Sequence, residues 1–596
     1  MKAFKVYGIE RDGKFLDFLK RFSFWLSLAA VCTIIFDLGF AQREETEEYL
    51  VDFYLIVLFI GILDILLRYI LSGERFPLKV RIFDGIITAL FLLLLLLKAD
   101  FLLEVEPWLG FMNRMGWLYL AILIYFVREF SDRKLNLNRE RFNPAQLFIL
   151  SFLGLVVLGT FLLMLPNATY EGLSPVDALF TATSAVCVTG LIVVDTATYF
   201  TPFGKFILLL LIQMGGLGIM TFASYFSYFF RGKTSYEHQL MLKDMTNSDK
   251  LGEVFNILKK IILVTLSIEL IGAFFIFFSL KRPEAAGIVD QFFFSVFHAV
   301  SAFCNAGFST LSAGLYEEHI RFNYPFQLII ALLLILGGIG FPIVFNLYRY
   351  FTYLIKSRIM TLGRPSETRY LPWVLNLNSR LVLATTAILL TSGSALVYFL
   401  EYYNTLDEHG FFGKLVTAFF TAATPRTAGF NSVDLSALNF STIMLIFLLM
   451  WIGGSPGSTA GGIKTSTFAV AALNFVSLAR GRNNIEVFRR EVAHISVRRA
   501  FAIITLSLLV IGLAIILIAH FDREKTLLAI AFECFSAYST VGLSLGITAA
   551  LSTPGKLVVI LTMFIGRVSM LTIMIALLRR VKVVNYRYPK EEILMN

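Results

Sequence analysis

The chain has 596 residues, of which 57% are hydrophobic and only 16% are charged. Soluble domains carry about 25% charged residues, so the composition excludes a water-soluble enzyme or a soluble binding domain. The net charge of +10 is better explained by basic loops on the cytoplasmic side of a membrane than by binding to nucleic acid. The four cysteines have no CxxC spacing, so neither a disulfide framework nor a zinc site is expected.

Apolar segments recur along the whole chain, with stretches such as Ile87–Leu97 that are rich in leucine. A helix needs roughly 20 apolar residues to cross the hydrocarbon layer, and about a dozen segments of this chain meet that length. The sequence therefore predicts an all-α polytopic membrane protein surrounded by membrane lipid.

The loops between the first apolar segments alternate in charge. The first 21 residues, Arg68–Arg81 and Arg128–Phe142 are basic, whereas the loops between them are acidic. Because basic loops stay in the cytoplasm, we expect four transmembrane helices in residues 1–142 and a cytoplasmic N-terminus. The first apolar segment has no small-residue cleavage site and is interpreted as a retained helix, not as a signal peptide.

Four ionisable residues lie within or at the ends of these N-terminal helices: Asp64, Arg68, Asp84 and Arg128. Charged groups inside a membrane are costly unless they are paired. A voltage sensor would carry arginine at every third position of its fourth helix, and the fourth segment GWLYLAILIYFVREF does not. We therefore expect a peripheral accessory bundle in which these charges pair.

Farther along the chain, long basic loops predict four returns to the cytoplasm. These loops are Arg231–Lys260, Arg349–Arg380 and Arg480–Arg499, followed by a basic C-terminal tail. A multi-pass protein of the inner (cytoplasmic) membrane with both termini in the cytoplasm is expected. The sequence predicts a four-helix membrane extension (1–142) followed by four pore repeats (143–235, 236–360, 361–485 and 486–596). The last repeat includes a cytoplasmic tail.

A short glycine motif occurs once in each of these four predicted repeats, as VTGL, NAGF, TAGF and TVGL. Its glycines are Gly190, Gly307, Gly429 and Gly542, at spacings of 117, 122 and 113 residues. A run of about 12–14 residues precedes each motif, which is too short to span a membrane and long enough for a re-entrant helix. Each repeat is therefore predicted to consist of a helix, a half-helix, a glycine loop and a second helix.

Four such loops at equivalent positions predict a ring around one pore, because non-helical backbone at membrane depth must be buried or line water. Glycine permits left-handed backbone angles, which let successive carbonyl groups point the same way. Rings of carbonyl oxygens replace the hydration shell of an alkali cation, and helix C-termini favour positive charge. Glycine is common in membrane helices, so one motif alone carries little weight. The predicted ion-binding residues are Val188, Thr189, Gly190, Asn305, Ala306, Gly307, Thr427, Ala428, Gly429, Thr540, Val541 and Gly542.

At these residues the chain resembles the TrkH/KtrB/HKT superfamily of cation transporters, over about residues 143–582. The segments FTATSAVCVTGLIVVD, TPRTAGFNSVD and FECFSAYSTVGLSLGIT carry the similarity. The resemblance implies four nonidentical channel-like repeats in one chain, potassium at the filter residues as the transported ion, and no organic cofactor. It also implies a homodimer and a cytosolic nucleotide-binding regulatory ring of the TrkA/KtrA type. In plant relatives a serine at the first filter glycine accompanies sodium preference, and the corresponding residue here is Gly190.

A second motif, GGSPGSTAGGIKTS, interrupts the apolar segment between about Phe440 and Phe475. Its glycines and Pro456 are expected to break the helix in the middle of the membrane. The resembled family has a gating loop at this place, and the alternative is a simple kinked helix. The predicted gating residues of this loop are Gly453, Gly454, Gly457, Ser458, Gly461, Gly462 and Lys464.

The last apolar segment contains Arg567 within GRVSMLT. An arginine inside a membrane is costly and is by default a functional candidate. In the resembled family an arginine here contacts the gating loop and adds an electrostatic barrier. Ser569 and Met570 depart from the family's usual GRxGP. The alternatives are an arginine that snorkels to the interface or one that is paired structurally.

Five further polar residues are weaker candidates. Glu533 is expected to brace the fourth half-helix, and Glu269 also lies in an apolar segment. His298 is interpreted as a hydrogen-bonded packing residue, and Cys187 and Cys304 as small packing residues beside the filter.

The predicted function is potassium uptake through a carbonyl-lined filter that the glycine-rich loop gates. A sodium-conducting or sodium-coupled transporter of the same superfamily is the alternative. A membrane enzyme is not expected, because the chain has neither HExxH nor a Walker A motif, and its one GxSxG match, Gly453–Gly457, lies in an apolar span. A transporter with inverted repeats would show two halves of opposite orientation, whereas the four units here share one orientation.

Overall fold

The computed structural model describes residues 6–71, 78–98, 114–132, 144–218, 254–280, 287–363, 375–482 and 484–577. These residues are mostly helical, and two short strands, β1 (Glu486–Val487) and β2 (Arg490–Glu491), form one antiparallel hairpin. The predicted all-α fold thus holds for the described residues, apart from this hairpin in a basic loop.

The first four helices pack into a bundle with a core of its own, which includes Tyr54, Phe91 and Tyr125. They are α1 (Val6–Gly39), α2 (Glu44–Leu71), α3 (Leu78–Lys98) and α4 (Met115–Asp132). The bundle meets the following part of the chain at the end of α1, where Asn167 donates a hydrogen bond to the Leu38 carbonyl at 3.1 Å.

A buried ionic network joins three helices of this bundle. Arg128 Nε donates to Asp84 Oδ1 at 2.8 Å, so α4 is tied to α3. Arg68 donates to Asp64 Oδ1 at 3.0 Å and to Glu129 Oε2 at 2.6 Å, so α2 is tied to α4. All five side chains are buried. The expected pairing of the N-terminal charges is therefore present, with Glu129 as a member that the sequence did not single out.

The helices after residue 143 repeat one order four times, and we call the resulting groups units one to four. Each unit begins with a long helix, continues with a short buried helix and then has a second apolar helix, which in units two, three and four is followed by one more helix. Unit one comprises α5 (Pro144–Leu163), α6 (Pro175–Val186) and α7 (Pro202–Leu217); unit two comprises α8 (Val254–Ser279), α9 (Ile288–Phe303), α10 (Tyr324–Ile339) and α11 (Phe341–Gly363). Unit three comprises α12 (Leu377–Glu401), α13 (Phe411–Ala423), α14 (Phe440–Trp451) and α15 (Thr465–Ala479); unit four comprises α16 (His494–Phe521), α17 (Leu527–Ser539), α18 (Thr553–Val568) and α19 (Met570–Leu577).

Local sequence signals begin the second helix of units one, two and four in the same way. The side chains of Thr201, Asn323 and Ser552 accept a hydrogen bond from the backbone N–H three residues on, at 3.1 to 3.2 Å. A proline follows at the first or second helical position, where a backbone N–H would have no hydrogen-bond partner within the helix. These caps fix where the second helix of each of these three units begins.

The short helices hold the four units together in a closed order. The short helices α9, α13 and α17 each pack against the second helix of the preceding unit, which is α7, α10 and α14, respectively. The order closes because α6 of unit one packs against α18 of unit four. The four short helices therefore surround a common axis.

Among the described residues, six helices are long and apolar enough to cross a membrane, or seven if the bent pair α10 and α11 forms one span. The sequence predicted about a dozen spans. Part of the difference arises because the second helices end after 12 to 16 residues, which is shorter than a membrane span. Large apolar side chains on the long helices face outward, as with Phe278 at 69% exposure, which suits contact with lipid.

Candidate functional site

The four predicted glycine loops are turns with one shared backbone conformation. In each turn the glycine has a φ between +70° and +92°, and so does not adopt the usual right-handed geometry. The residue two positions earlier also has a positive φ, and these residues are Val188, Asn305, Thr427 and Thr540, at +50° to +74°. A positive φ is rare for β-branched residues and stores about 1–3 kcal/mol of strain per residue. The same unfavourable geometry at four equivalent positions indicates that the turn shape itself is needed.

The four turns touch one another in a closed ring. A Cβ atom added at Gly190 would lie 3.1 Å from Gly307 Cα, and one at Gly307 would lie 3.1 Å from Gly429 Cα. A Cβ atom added at Gly429 would lie 3.2 Å from Gly542 Cα, and one added at Gly542 would lie 3.0 Å from Gly190 Cα. Each glycine therefore faces the next turn in chain order, and the fourth faces the first.

Serine side chains at the C-terminal ends of the short helices stabilise the turns from behind. Ser184 Oγ accepts a hydrogen bond from Gly190 N at 3.1 Å, and Ser536 Oγ accepts one from Gly542 N at 3.0 Å. In the second turn Ser301 Oγ instead donates to the Phe308 carbonyl at 2.7 Å. These serines were not among the predicted site residues, although a serine stands six residues before the glycine in units one, two and four.

The carbonyl groups of the turns remain without hydrogen-bond partners. The backbone N–H groups of Thr189, Ala306 and Val541 donate back to the short helices at 2.7 to 2.9 Å. By contrast, none of the carbonyl oxygens of the twelve predicted filter residues accepts a hydrogen bond from a residue that the structure describes. Buried carbonyl groups in proteins are nearly always paired. A ring of unpaired carbonyl oxygens is therefore suited to water or to a cation.

The glycine-rich segment forms a non-helical loop, Ile452–Lys464, between α14 and α15. Its two ends are joined, because Gly453 N donates to the Ile463 carbonyl at 2.9 Å and Ile463 N donates to the Trp451 carbonyl at 3.2 Å. Gly457 and Gly462 have positive φ angles. This closed loop excludes the simple kinked helix as an interpretation of the motif.

The loop lies against the turns. Thr459 Oγ1 donates to Asn305 Oδ1 at 3.0 Å, which connects it to the second turn. A Cβ atom added at Gly453 would lie 3.1 Å from Thr427 Cγ2, and one at Gly461 would lie 3.0 Å from the Ser539 carbonyl oxygen. The loop therefore contacts three of the four turns on the side where the short helices end.

A sharp bend in unit two makes room for the loop. Helices α10 and α11 meet at an angle of 102°, and Gly340 between them has a φ of +91°. Ser455 N donates to the Gly338 carbonyl at 2.9 Å, and Phe341 N donates to the Gly457 carbonyl at 3.1 Å. The backbone of the bend and the backbone of the loop thus pair with each other.

Arg567 joins the loop to units one and four. From α18, its guanidinium donates to the Thr459 carbonyl of the loop and to the Gly215 carbonyl of α7, the latter at 2.7 Å. An arginine that snorkels to the membrane interface could not make these contacts. Lys464 lies at the end of the loop, and its Nζ donates to the Ala460 carbonyl at 2.6 Å. All predicted gating residues are therefore brought together on or beside one loop.

Ser569 adopts a backbone conformation that glycine has in two other units. Its φ and ψ are 74° and 128°, close to 78° and 127° at Gly218 and to 91° and 143° at Gly340. Each of these residues ends the second helix of its unit. The departure at Ser569 from the resembled family's glycine therefore leaves the local geometry unchanged.

The weaker candidates lie behind the ring. Glu269 accepts a hydrogen bond from Gln213 Nε2 at 3.1 Å, and Cys304 Sγ lies 3.8 Å from Glu269 Oε1. His298 is buried and hydrogen-bonded to the Phe294 carbonyl at 2.9 Å, as the packing interpretation expects.

Glu533 accepts hydrogen bonds from Thr548 and, at 2.9 Å, from Ser544, which ties the fourth short helix to the loop that follows the turn. Cys187 is fully buried.

Asp195 connects the loops that follow the first and second turns. Its carboxylate accepts hydrogen bonds from Ser312 Oγ at 2.7 Å, from Thr198 Oγ1 at 2.9 Å and from Ala197 N at 2.9 Å. Burial raises the pKa of this carboxyl group, but the three hydrogen bonds together hold the pKa below its ordinary value. A negative charge is therefore held in the loop that follows the first turn, close to the loop that follows the second.

The comparisons with known proteins agree with this geometry. A family model described as TrkH, cation transport protein, matches residues 112–584. The chain belongs to this family of cation transporters. The match begins before α4, whereas the sequence resemblance was placed from about residue 143 onward. The family transports cations and is not one of enzymes, and the described apolar helices make this member a multi-pass membrane protein.

Two relatives match about three quarters of this chain. The chain is 37% identical over 459 residues to the Ktr system potassium uptake protein B of Bacillus subtilis, and the aligned region covers 76% of this chain and 97% of the relative. It is 35% identical over 465 residues to the potassium/sodium uptake protein NtpJ of Enterococcus hirae, with 77% and 98% covered.

The crystal structure of the potassium transporter TrkH from Vibrio parahaemolyticus has a similar fold. The TM-score is 0.59 at 17% sequence identity, and the match covers 83% of this chain and 98% of that chain. The expected all-α polytopic membrane fold of this family is therefore confirmed.

Proposed function

We propose that this chain takes up potassium ions through the ring of four turns. The observation that carries the proposal is the set of twelve unpaired carbonyl oxygens at the centre of the ring. Carbonyl oxygens can replace the water molecules around an alkali cation, and the surrounding short helices direct their negative ends toward the same place. Relatives at 37% and 36% identity are named potassium uptake proteins, which supports potassium as the transported ion.

The membrane potential supplies a driving force for this uptake. Moving one positive charge across the membrane is worth about 2.3 kcal/mol per 100 mV. No covalent chemistry is required, and we propose that potassium passes between the turns without an organic cofactor.

The loop Ile452–Lys464 is proposed as the gate below the filter. It contacts the second, third and fourth turns, and Arg567 fastens it to α7. The charge of Arg567 near the ion path would add an electrostatic barrier to a cation. In this arrangement the loop obstructs conduction, and its release opens the path.

Sodium transport is the second candidate, because one relative at 35% identity is named a potassium/sodium uptake protein. The first turn has Gly190, without the serine that accompanies sodium preference in plant relatives, and this favours potassium. Sodium passage or coupling would leave the ring as the conducting site and change only the ion that it prefers.

We propose further that the chain works as a homodimer in the inner membrane with both termini in the cytoplasm, together with a cytosolic regulatory ring of the TrkA/KtrA type. Several relatives are named as parts of a Ktr system. The exposed Arg490 and Glu491 of the hairpin between units three and four belong to a basic loop that would face such a partner. We also propose that the four pore repeats have the boundaries predicted from the sequence, which are 143–235, 236–360, 361–485 and 486–596.

Ion flux into proteoliposomes tests the proposed function. The purified chain is reconstituted, and the uptake of radioactive rubidium is driven by an inside-negative potential. We expect uptake that excess potassium suppresses strongly and that excess sodium suppresses weakly. Liposomes without protein are the control. Equal suppression by the two ions would favour the sodium candidate, and the absence of protein-dependent cation flux would contradict both.

A further inference from the structure

Arg426, three residues before the glycine of the third turn, is a buried cation for which the described part of the chain offers no partner. Its side chain belongs to a residue that is only 8% exposed, and its Nε atom is buried without a hydrogen bond. No residue that the structure describes forms an ion pair or hydrogen bond with this guanidinium. The C-terminal end of α13 offsets part of the charge. A buried guanidinium nevertheless requires a counter-charge to be stable.

The side chain of Arg426 lines a small cavity between units two and three. The cavity has a volume of about 10 Å³, and its wall includes Ile335 of α10, Leu390 of α12 and Gly454 of the loop. Thr386 also lines it, and the Thr386 hydroxyl is buried without a hydrogen-bond partner. A cavity of roughly this volume holds one particle of about the size of a water molecule. Two unsatisfied donors therefore face a space that contains no carboxylate.

The equivalent place in unit two is filled and neutralised by side chains. Cys304 occupies the position three residues before the second glycine, as Arg426 does before the third. Gln213 lies five residues before the helix-ending Gly218, as Ile335 does before Gly340. Gln213 of unit one and Cys304 of unit two contact each other and a neighbouring carboxyl group of unit two at 3.1 to 3.8 Å.

That neighbouring carboxyl group is Glu269, whose counterpart in unit three is Leu390. Glu269 stands three positions before Gly272, and Leu390 stands three positions before Gly393. Each of these two glycines lies against a leucine on the second helix of its own unit. Unit three therefore has a cation where unit two has a thiol, and an apolar residue where unit two has an acid. Among the residues that the structure describes, none supplies the counter-charge that Arg426 needs at this place.

We propose that this cavity is a binding site for a monatomic anion such as chloride, held by the guanidinium of Arg426 and the hydroxyl of Thr386. A cavity that holds one particle of about the size of a water molecule suits a monatomic anion better than a polyatomic anion such as phosphate. Because Gly454 forms part of the wall, the bound anion also supports the loop Ile452–Lys464. The site does not depend on which cation the ring conducts.

Thermal unfolding of the purified full chain tests the site. The melting temperature is measured in potassium chloride and in potassium gluconate at equal concentration, because gluconate is too large for the cavity. We expect a higher Tm in chloride, and we expect Arg426→Met to lose that difference. An equal Tm in the two salts, or a chloride effect that persists in Arg426→Met, would overturn the proposal.

A second variant keeps the test decisive if Arg426→Met does not fold. Leu390→Glu places a carboxyl group where unit two has Glu269, and it supplies Arg426 with an internal partner. We expect this variant to lose the dependence on chloride while Arg426 is retained. Retention of the full chloride effect in Leu390→Glu would count against the site.

Bromide offers a direct readout, since it replaces chloride and scatters X-rays anomalously. Crystals of the full chain grown with bromide should show an anomalous peak beside Arg426 and Thr386. A well-ordered cavity without that peak would mean that water fills it, and the anion site would be rejected.

Discussion

At the scale of single residues, the turns depend on glycines that have no room for a side chain. A Cβ atom at Gly190 would meet the Ala306 carbonyl oxygen and would lie 3.1 Å from Gly307 Cα. The φ of +88° at Gly190 is also unfavourable for any other residue. A substitution there must therefore move the first turn relative to the second.

We predict that Gly190→Ser increases sodium flux relative to rubidium flux several-fold, because displaced carbonyl groups no longer fit the larger ion selectively. Flux of the two ions into proteoliposomes measures the ratio. Gly154→Ser is the matched control, since a Cβ atom at Gly154 on α5 meets nothing within 4 Å. An unchanged ratio in folded Gly190→Ser would argue against the filter assignment.

Ser569 is a second residue whose backbone angles predict the effect of a substitution. We expect Ser569→Gly to stabilise the chain by about 1 kcal/mol, since relief of strain exceeds the added flexibility of glycine. A higher Tm in detergent would show this. Ser552→Gly serves as the comparison, because Ser552 caps α18 at a φ of −62° and its replacement should lower Tm slightly. A lower Tm in Ser569→Gly would show that the serine side chain itself stabilises the turn.

The recurrence of the glycine motif made the ring residues predictable, whereas isolated polar residues were not. Ser184 and Ser536 each make one hydrogen bond to a turn, and single serines on apolar helices are too common to stand out. Arg426 was visible within TPRTAGF, but nothing in the sequence shows that no acid lies near it. Partners that are distant in sequence become apparent only once the chain is folded.

At the scale of elements, the loop Ile452–Lys464 is a separate piece that can be removed. Its ends are already hydrogen-bonded through Gly453 and Ile463, so joining Ile452 to Ile463 requires little movement of α14 and α15. The rest of the ring does not depend on the loop for its own closure.

Deletion of Gly453–Gly462 should therefore increase rubidium flux several-fold if the loop obstructs the path. Flux is measured per unit of folded protein in proteoliposomes, with size-exclusion profiles to verify folding. A well-folded deletion with unchanged or lower flux would contradict the gating role.

The contacts of Arg567 allow the tether and the charge to be separated. We predict that Arg567→Ala raises rubidium flux, because the loop loses its link to α7 and a positive charge is removed. Arg567→Lys keeps the charge but cannot span two carbonyl groups as a planar guanidinium does. A lysine variant that behaves like alanine would identify the tether as the main restraint, and one that behaves like arginine would identify the charge. No increase in Arg567→Ala would contradict both roles.

The short helices and the broken third-unit helix followed from the lengths and glycines of the sequence. The 102° bend between α10 and α11 did not, because a single glycine such as Gly340 in an apolar segment is compatible with a straight helix. The bend is stabilised by backbone contacts with a loop more than 100 residues away, such as that between Phe341 and Gly457. Local sequence cannot reveal such contacts.

At the scale of the whole molecule, the N-terminal bundle and the ring have separate cores. The bundle is stabilised by the buried network of Arg68, Arg128 and three carboxylates, and it contacts the other helices mainly through the end of α1. Damage to the bundle should therefore affect stability more than ion selectivity.

We predict that Arg128→Met destabilises the bundle by about 3–5 kcal/mol, because Asp84 and Glu129 remain buried with fewer partners. Limited proteolysis and Tm measure the loss. The ratio of rubidium to sodium flux should stay unchanged. Arg43→Met, at an exposed position before α2, is the control and should be neutral. An altered flux ratio in Arg128→Met would show that the bundle acts on the filter.

Four units in one membrane chain could be recognised from hydropathy, charge and spacing alone. The order in which they close could not, because the sequence gives no contact between the first and fourth units. In the fold, α6 packs against α18, and Gly542 lies against Gly190. This closing contact joins residues more than 350 positions apart.

Because one polypeptide supplies all four turns, a point mutation alters a single quadrant of the ring. The middle residue is already of three kinds, with Thr189 in the first quadrant, alanine in the second and third (Ala306 and Ala428) and Val541 in the fourth. A channel assembled from four copies of a shorter chain would repeat every substitution fourfold. Each side of this aperture can therefore diverge independently, and the passing ion meets surroundings that are not symmetric.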